Sequence, residues 1–205
     1  MKRGIQLCAL VCALGLALSV PATAAYEDLN PKAWYYNDVQ KAIDGGLMTG
    51  TNASSFSPLA PVTRATVLAV LWRMEGSPET KAEPGFTDIA PKDWYYAPAA
   101  WAKQAGIATG HRDGSFDPKG NVTRQELAMF LYRYATYKKD IIAKGVLEAY
   151  PDGDKVAGWA LPGMQHALGA GLMTGNGAGE LDPTGIANRA ELAVILGRLA
   201  VKPQG

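Results

Sequence analysis

The chain has 205 residues, 20 of them Lys or Arg and 19 Asp or Glu. That balance excludes the basic surplus with which a nucleic-acid binder neutralises phosphates. Both cysteines, Cys8 and Cys12, fall in the first two dozen residues, so the rest of the chain has no disulfide and must rest on an apolar core.

The N-terminus reads as a secretory signal peptide, residues 1–24. Lys2 and Arg3 precede an apolar run from Ile5 to Val20, and Ala22-Thr23-Ala24 is a small-x-small cleavage site. The run is short for a membrane span and ends at Pro21. Val11 before Cys12, with the apolar run continuing beyond, argues against lipidation. Without Lys2 and Arg3 the remainder carries 18 basic and 19 acidic residues, a net charge of −1.

Beyond the signal peptide the chain is one unit written three times. Trp34, Trp94 and Trp159 each stand sixteen residues before Gly50, Gly110 and Gly175, which stand fourteen before Arg64, Arg124 and Arg189. Repeats of this length imply stacked supersecondary units. The units occupy 25–76, 86–135 and 150–201, separated by a solvated loop at 77–85 and a helical extension at 136–149.

Each unit opens on an aromatic-x-Asp turn, at Asp28, Asp88 and Asp152. A first helix carrying the tryptophan is expected next. Its apolar positions are Val39/Ala99/Met164, Ala42/Ala102/Ala167 and Leu47/Ile107/Leu172, and Gly46, Gly106 or Gly171 ends it. Lys103 interrupts the stripe where the other copies have Ile43 and Leu168. A loop leads to a second helix with apolar residues at i, i+3, i+4 and i+7: Val67, Val70, Leu71, Met74; Leu127, Phe130, Leu131, Tyr134; Leu192, Ile195, Leu196, Leu199. Three such stripes predict a central three-helix bundle.

The second helix starts on "TRAT", "TRQE" and "NRAE". Thr123 with Glu126, and Asn188 with Glu191, form capping boxes, whereas Thr66 cannot return the bond to Thr63 as a glutamate would. An arginine at a helix start opposes the dipole, at a cost of roughly 0.3–1 kcal/mol. Its threefold recurrence predicts an anion there, held by free backbone N–H groups and a guanidinium fork. The glycine-rich loop and the tryptophan nearby suit an acidic sugar.

The order aromatic-x-Asp, Trp, Thr-Gly, "DGSFDP" and "VTRQE" resembles the S-layer homology (SLH) domain, and "GSFDPKGNVTRQELAMFLYR" carries the likeness most fully. The resemblance covers about residues 26–76, 86–135 and 150–201. It implies an all-α fold in which three helical SLH repeats form a pseudo-threefold spindle around a central three-helix bundle. It also implies noncovalent binding of a secondary cell-wall polysaccharide, associated with peptidoglycan and often pyruvylated, in grooves between two repeats. Carried over, Arg64, Arg124 and Arg189 hold the acidic group. Trp34, Trp94, Trp159, Asp28, Asp88, Asp152, Gly50, Gly110 and Gly175 are the further glycan-binding candidates. The implied location is the bacterial cell wall. Repeat 1 departs at Thr66 and "NASS"; repeat 3 departs at Asn188, Leu181 and "NGAG". The groove of Arg124, whose motif is complete, is therefore expected to bind most strongly, through an arginine expected to be exposed.

Neither catalytic nor cofactor chemistry is expected. His111 and His166 are the only histidines and lack a base–nucleophile spacing; His111 reads as solvated, His166 as a surface or partly packed residue. "PDGD" and "RDGSFD" do not follow the twelve-residue calcium loop and read as Asp-Gly turns. The period of about sixty residues also separates the "WYY" segments from short choline-binding repeats. The alternative function is a self-assembling wall coat without cargo, suggested by the few residues outside the three units.

Overall fold

The computed structural model describes residues 26–200, so the predicted signal peptide lies outside the described residues. Among the described residues there are six α-helices: α1 (Tyr36–Asp44), α2 (Arg64–Met74), α3 (Tyr96–Gln104), α4 (Arg124–Lys138), α5 (Leu161–Gly169) and α6 (Arg189–Ala200). Short 3-10 turns at Leu147–Ala149, Gly153–Lys155 and Gly158–Ala160 precede α5. Among the described residues no helix is long and apolar enough to cross a membrane.

Each repeat supplies a short outer helix and a longer inner one. The outer helices end as the glycines require. Gly46, Gly106 and Gly171 take φ of 67°, 72° and 66°, where a side chain would be strained, and the two N–H groups that follow return to one carbonyl, as Leu47 and Met48 do to Ala42. The tryptophans are not on these helices. Trp34 and Trp94 lie in the turns just before α1 and α3, and Trp159 lies in the 3-10 turn before α5. The following tyrosines, Tyr35 and Tyr95, are buried beneath them.

The inner helices are buried on more than the predicted stripe. In α2, Leu68 and Ala69 are as enclosed as Val67, Val70 and Leu71. The reason is a second partner, the outer helix of the next repeat. The closest helix pairs are α2 with α3, α4 with α5 and α6 with α1, which closes a cycle. Small residues permit the approach. A Cβ on Gly163 of α5 would come within 2.7–2.9 Å of Met129 and Ala128 of α4, and one on Gly197 of α6 would come within 2.6 Å of Asp38 of α1. All three repeats share one apolar cluster, in which Phe56, Phe116, Leu127, Met164 and Leu192 are fully enclosed.

A backbone ring locks the cycle ahead of the inner helices. Val62 N–H donates to Ala187 O, Ala187 N–H to Val122 O, and Val122 N–H to Val62 O, each at 2.9 Å. Each repeat thus satisfies a backbone group of another that would otherwise be buried unpaired. At the far end Glu75, just past α2, accepts from Tyr134 Oη at 2.6 Å and Lys138 Nζ at 3.0 Å, tying repeat 1 to α4.

Two local expectations change. The 136–149 segment is helical only as far as Lys138; Lys139 at φ 59° ends the helix and the chain then runs irregularly to Leu147. His166 is 1% exposed, its ring edge-on to Tyr132 at 6.1 Å, because α5 presses that face onto α4. His111 is exposed in its loop, as expected.

Candidate glycan grooves

The helix starts follow the sequence pattern. Thr123 and Glu126 form the capping box, with Glu126 Oε2 accepting from Thr123 N–H at 2.8 Å. Asn188 and Glu191 exchange the same pair of bonds at 2.9 Å. In repeat 1 the Thr63 and Thr66 hydroxyls meet at 2.8 Å instead. The N–H groups expected to invite an anion are not free. Those of Arg64 and Ala65 donate to Gly120 O and Pro118 O, those of Arg124 and Gln125 to Gly185 O and Pro183 O, and those of Arg189 and Ala190 to Ala60 O and Pro58 O. The neighbouring repeat's loop therefore occupies each helix start.

The arginines secure the same loops. Arg64 Nε donates to Phe116 O at 2.7 Å, Arg124 Nε to Leu181 O at 2.7 Å, and Arg189 Nε to Phe56 O at 2.9 Å. Their Nη2 atoms donate to Thr109 O, Thr174 O and Thr49 O. Arg64 and Arg124 are each only 8% exposed, which corrects the expectation that Arg124 is an exposed position. Charge-assisted bonds across repeats outweigh the modest dipole cost, so the arginine is first an inter-repeat clamp. Burial lowers the pKa of Arg64 and Arg189, partly offset for Arg64 by Glu126 and for Arg189 by Tyr26 and Asp28.

The third guanidinium nitrogen differs among repeats. Arg124 Nη1 bonds Glu191 Oε1 at 3.0 Å, and Arg64 Nη1 lies 3.8 Å from Glu126 Oε1. Thr66 stands where Arg189 would find its glutamate, and among the described residues Arg189 has no carboxylate partner. Arg64 and Arg189 also lie over aromatic faces, Phe116 and Phe56, each 4.5 Å from the ring centroid. Leu181 denies Arg124 that face, and the close Glu191 pair stands in its place.

Asp28, Asp88 and Asp152 each brace a loop of their own repeat. Each carboxylate accepts two backbone N–H groups 28–30 residues away: Phe56 and Ser57, Phe116 and Asp117, Leu181 and Asp182. Ser57, Asp117 and Asp182 all have positive φ, 57°, 56° and 47°, directly before a proline. The aspartate thus holds a strained turn, and this accounts for its recurrence without a ligand. Burial works against the Asp152 charge, but the Leu181 and Asp182 N–H donors outweigh it and hold the carboxyl below its usual range. A depressed carboxyl stabilises the fold above its unfolded value, near 3.9, and that contribution is lost as pH falls through the lower folded value. Wild type should therefore lose more urea resistance between pH 7 and pH 2 than Asp152→Asn does. An equal loss would count against the assignment.

The loop glycines are also explained. A Cβ on Gly50 would collide with the Tyr26 ring and one on Gly110 would lie 2.8 Å from the Phe86 ring, while Tyr26 Oη accepts from Gly50 N–H at 2.6 Å.

Among the described residues, two grooves lie beside these clamps. One, of about 320 Å³, is floored by the repeat 1 loop and α2, at Thr49, Gly50, Thr66 and Arg73, and walled by Trp94 and Arg189. The other, of about 410 Å³, is floored by Thr174, Gly175, Glu191 and Arg198 of repeat 3 and walled by Trp34 and Arg124. Each combines a floor from one repeat, an arginine from the one before in the cycle and a tryptophan from the one after. The grooves are therefore built from all three repeats, not two. Trp34, Trp94 and Trp159 are 65%, 63% and 55% exposed, far more than packing alone would leave a tryptophan. The corresponding floor of repeat 2 carries Met129 and Phe130, bulkier than Ala69/Val70 or Val194/Ile195.

Sequence reasoning missed a second cation. Arg73, Arg133 and Arg198 each stand nine residues after the first arginine, a recurrence that aligning the three copies reveals. Arg73 Nη1 donates to Leu47 O and Arg198 Nη1 to Leu172 O, both at 2.9 Å, which places them at the groove floors.

The S-layer homology domain model matches residues 25–68, 85–128 and 149–193. The chain belongs to the S-layer homology domain family. It is 28% identical over 214 residues to an endoglucanase of Bacillus sp. (strain KSM-635), covering 98% of this chain and 22% of that protein. It is 27% identical to the surface-layer 125 kDa protein of Lysinibacillus sphaericus, over 87% of this chain and 15% of that one. It is 24% identical to the S-layer protein sap of Bacillus anthracis, over 87% and 22%. The chain thus spans about a fifth or less of these relatives, and the shared part is the SLH region. An SLH chain of this kind is a secreted cell-wall anchoring module, attached at the wall surface, and the module itself is not catalytic. Among the described residues no cluster of three or more His, Cys, Asp or Glu is placed to hold a metal.

Proposed function

We propose that this SLH module binds an acidic secondary cell-wall polysaccharide, with pyruvate ketal as the acidic group, in the grooves between its repeats. The carrying observation is the pairing, in one groove, of a solvent-facing tryptophan with two arginines over a loop that only glycine permits. An exposed indole is a flat apolar wall for a sugar ring, and a guanidinium holds a planar carboxylate. The cyclic backbone ring and helix pairing support a pseudo-threefold spindle, which would repeat this geometry around the molecule. The clamp Nε and Nη2 atoms, already bonded to loop carbonyls, do not meet the ligand in this reading; they fix the groove walls, and the third guanidinium nitrogen and the charge at the rim attract the acid.

The test is a binding titration with purified wall polysaccharide before and after mild-acid removal of the ketal. Removal should weaken binding at least about tenfold, since a charge-assisted bond contributes about 1.5–3 kcal/mol. Equal binding to both polymers would refute the acidic component of the reading.

A further inference from the structure

The three repeats differ in one respect that bears on the ligand. In repeats 2 and 3 a carboxylate of the protein faces the clamp arginine, Glu126 for Arg64 and Glu191 for Arg124. In repeat 1 the equivalent position is Thr66, whose hydroxyl is turned to Thr63. The repeat 1 groove then presents Arg189 and Arg73 with no acidic residue in its lining, whereas the repeat 3 groove presents Arg124 and Arg198 around Glu191.

We propose that Thr66 is the specificity-determining residue of the module: it makes the repeat 1 groove the seat of the acidic sugar, while Glu191 restricts the repeat 3 groove to a neutral one. This deepens, and rests on, the glycan reading above. Glu191 itself shows that a carboxylate fits against the clamp, at 3.0 Å from Arg124 Nη1. Where the protein supplies that carboxylate, a ligand acid meets a neutralised arginine and a like charge. Where threonine stands, the carboxylate must come from outside, and Trp94 lies across the same groove to take the sugar ring. Arg189 is also less enclosed than Arg64 or Arg124, so a ligand reaches it. This reverses the ranking expected from motif completeness, because the complete motif is the one already occupied by its own glutamate.

The experiment compares wild type, Thr66→Glu and Thr66→Gln in calorimetric titrations with pyruvylated wall polysaccharide and with the same polymer after ketal removal. Thr66→Glu restores the capping box of the other repeats, so its melting temperature should equal or exceed that of wild type. It should nonetheless bind the acidic polymer about ten- to a hundredfold more weakly, the loss expected from one charge-assisted contact. The stripped polymer should bind both proteins alike. Thr66→Gln has the same length without the charge and should keep wild-type affinity. Wild-type affinity in Thr66→Glu, with the acidic polymer still preferred by wild type, would overturn this inference and leave the glycan reading standing. An equal loss in Thr66→Gln would overturn it in favour of a steric effect. Failure of wild type to bind either polymer would refute the glycan reading and this inference with it.

Discussion

Arg124→Ala is expected to destabilise the fold by about 3–5 kcal/mol, the usual cost of removing the buried partner of an ion pair, here with two further loop bonds lost alongside a part-buried Glu191. For a chain of this size that corresponds to a fall in melting temperature of roughly 6–20 °C. The substitution removes donors to Leu181 O, Thr174 O and Glu191 Oε1 together, and leaves two loop carbonyls and a carboxylate without their partner. Repeat 3 would lose the side-chain part of its tie to repeat 2, while the backbone bonds of Arg124 and Gln125 to Gly185 O and Pro183 O remain. Arg189→Ala should cost less, about 1–3 kcal/mol, because it strands two carbonyls at a more open site and no carboxylate. Thermal unfolding followed by circular dichroism compares them. A melting temperature for Arg124→Ala within a degree or two of wild type would show that the clamp is dispensable. The arginine most complete in motif is thus a poor probe of binding, since its removal loosens the walls of the groove.

Phe116→Ala is the second large effect, about 3–5 kcal/mol by the usual cost of emptying an aromatic site in a core. Phe116 is fully buried, 5.0 Å from the Phe86 ring and 6.5 Å from that of Phe130, with the Arg64 guanidinium over its face. It therefore joins the loop of repeat 2, the helix α4 and the clamp from repeat 1. Phe116→Leu keeps most of the volume and copies repeat 3, where Leu181 fills the position. It should cost under about 1.5 kcal/mol for the volume-conserving change, with up to about 1 kcal/mol more for the lost cation–π contact. Urea unfolding of the two variants separates packing from the arginine contact. A Leu variant as damaged as the Ala variant would mean that the ring–guanidinium contact, not volume, dominates there.

The six-helix order, the capping boxes at Thr123 and Asn188 and the glycine helix ends were all legible in the sequence. Each is a local matter, settled by hydrogen bonds and backbone conformations within a few residues. The internal repeat also made the clamp arginines stand out, because a position that opposes the helix dipole three times needs a compensating partner. What the partner is could not be read locally. Periodicity located one buried stripe on each inner helix. It did not show that a second face is covered by the next repeat's outer helix, since nothing in a repeat names its neighbour.

The site divides in the same way. Residue types alone pointed to arginine, tryptophan and loop glycine, and the sequence by itself determined the family through their order. Only the tertiary structure decided that a groove takes its floor, arginine and tryptophan from three different repeats. It also decided that the helix-start N–H groups are spent on a neighbour's carbonyls and that Asp28, Asp88 and Asp152 brace strained turns in their own repeats. The physical reason is that these outcomes depend on which carbonyl or carboxylate arrives from 28 to 140 residues away, and on what remains of each donor once it has. Among the described residues Glu191 pairs with Arg124 and no carboxylate pairs with Arg189, a difference of one residue at position 66 that acquires meaning only when the cycle closes.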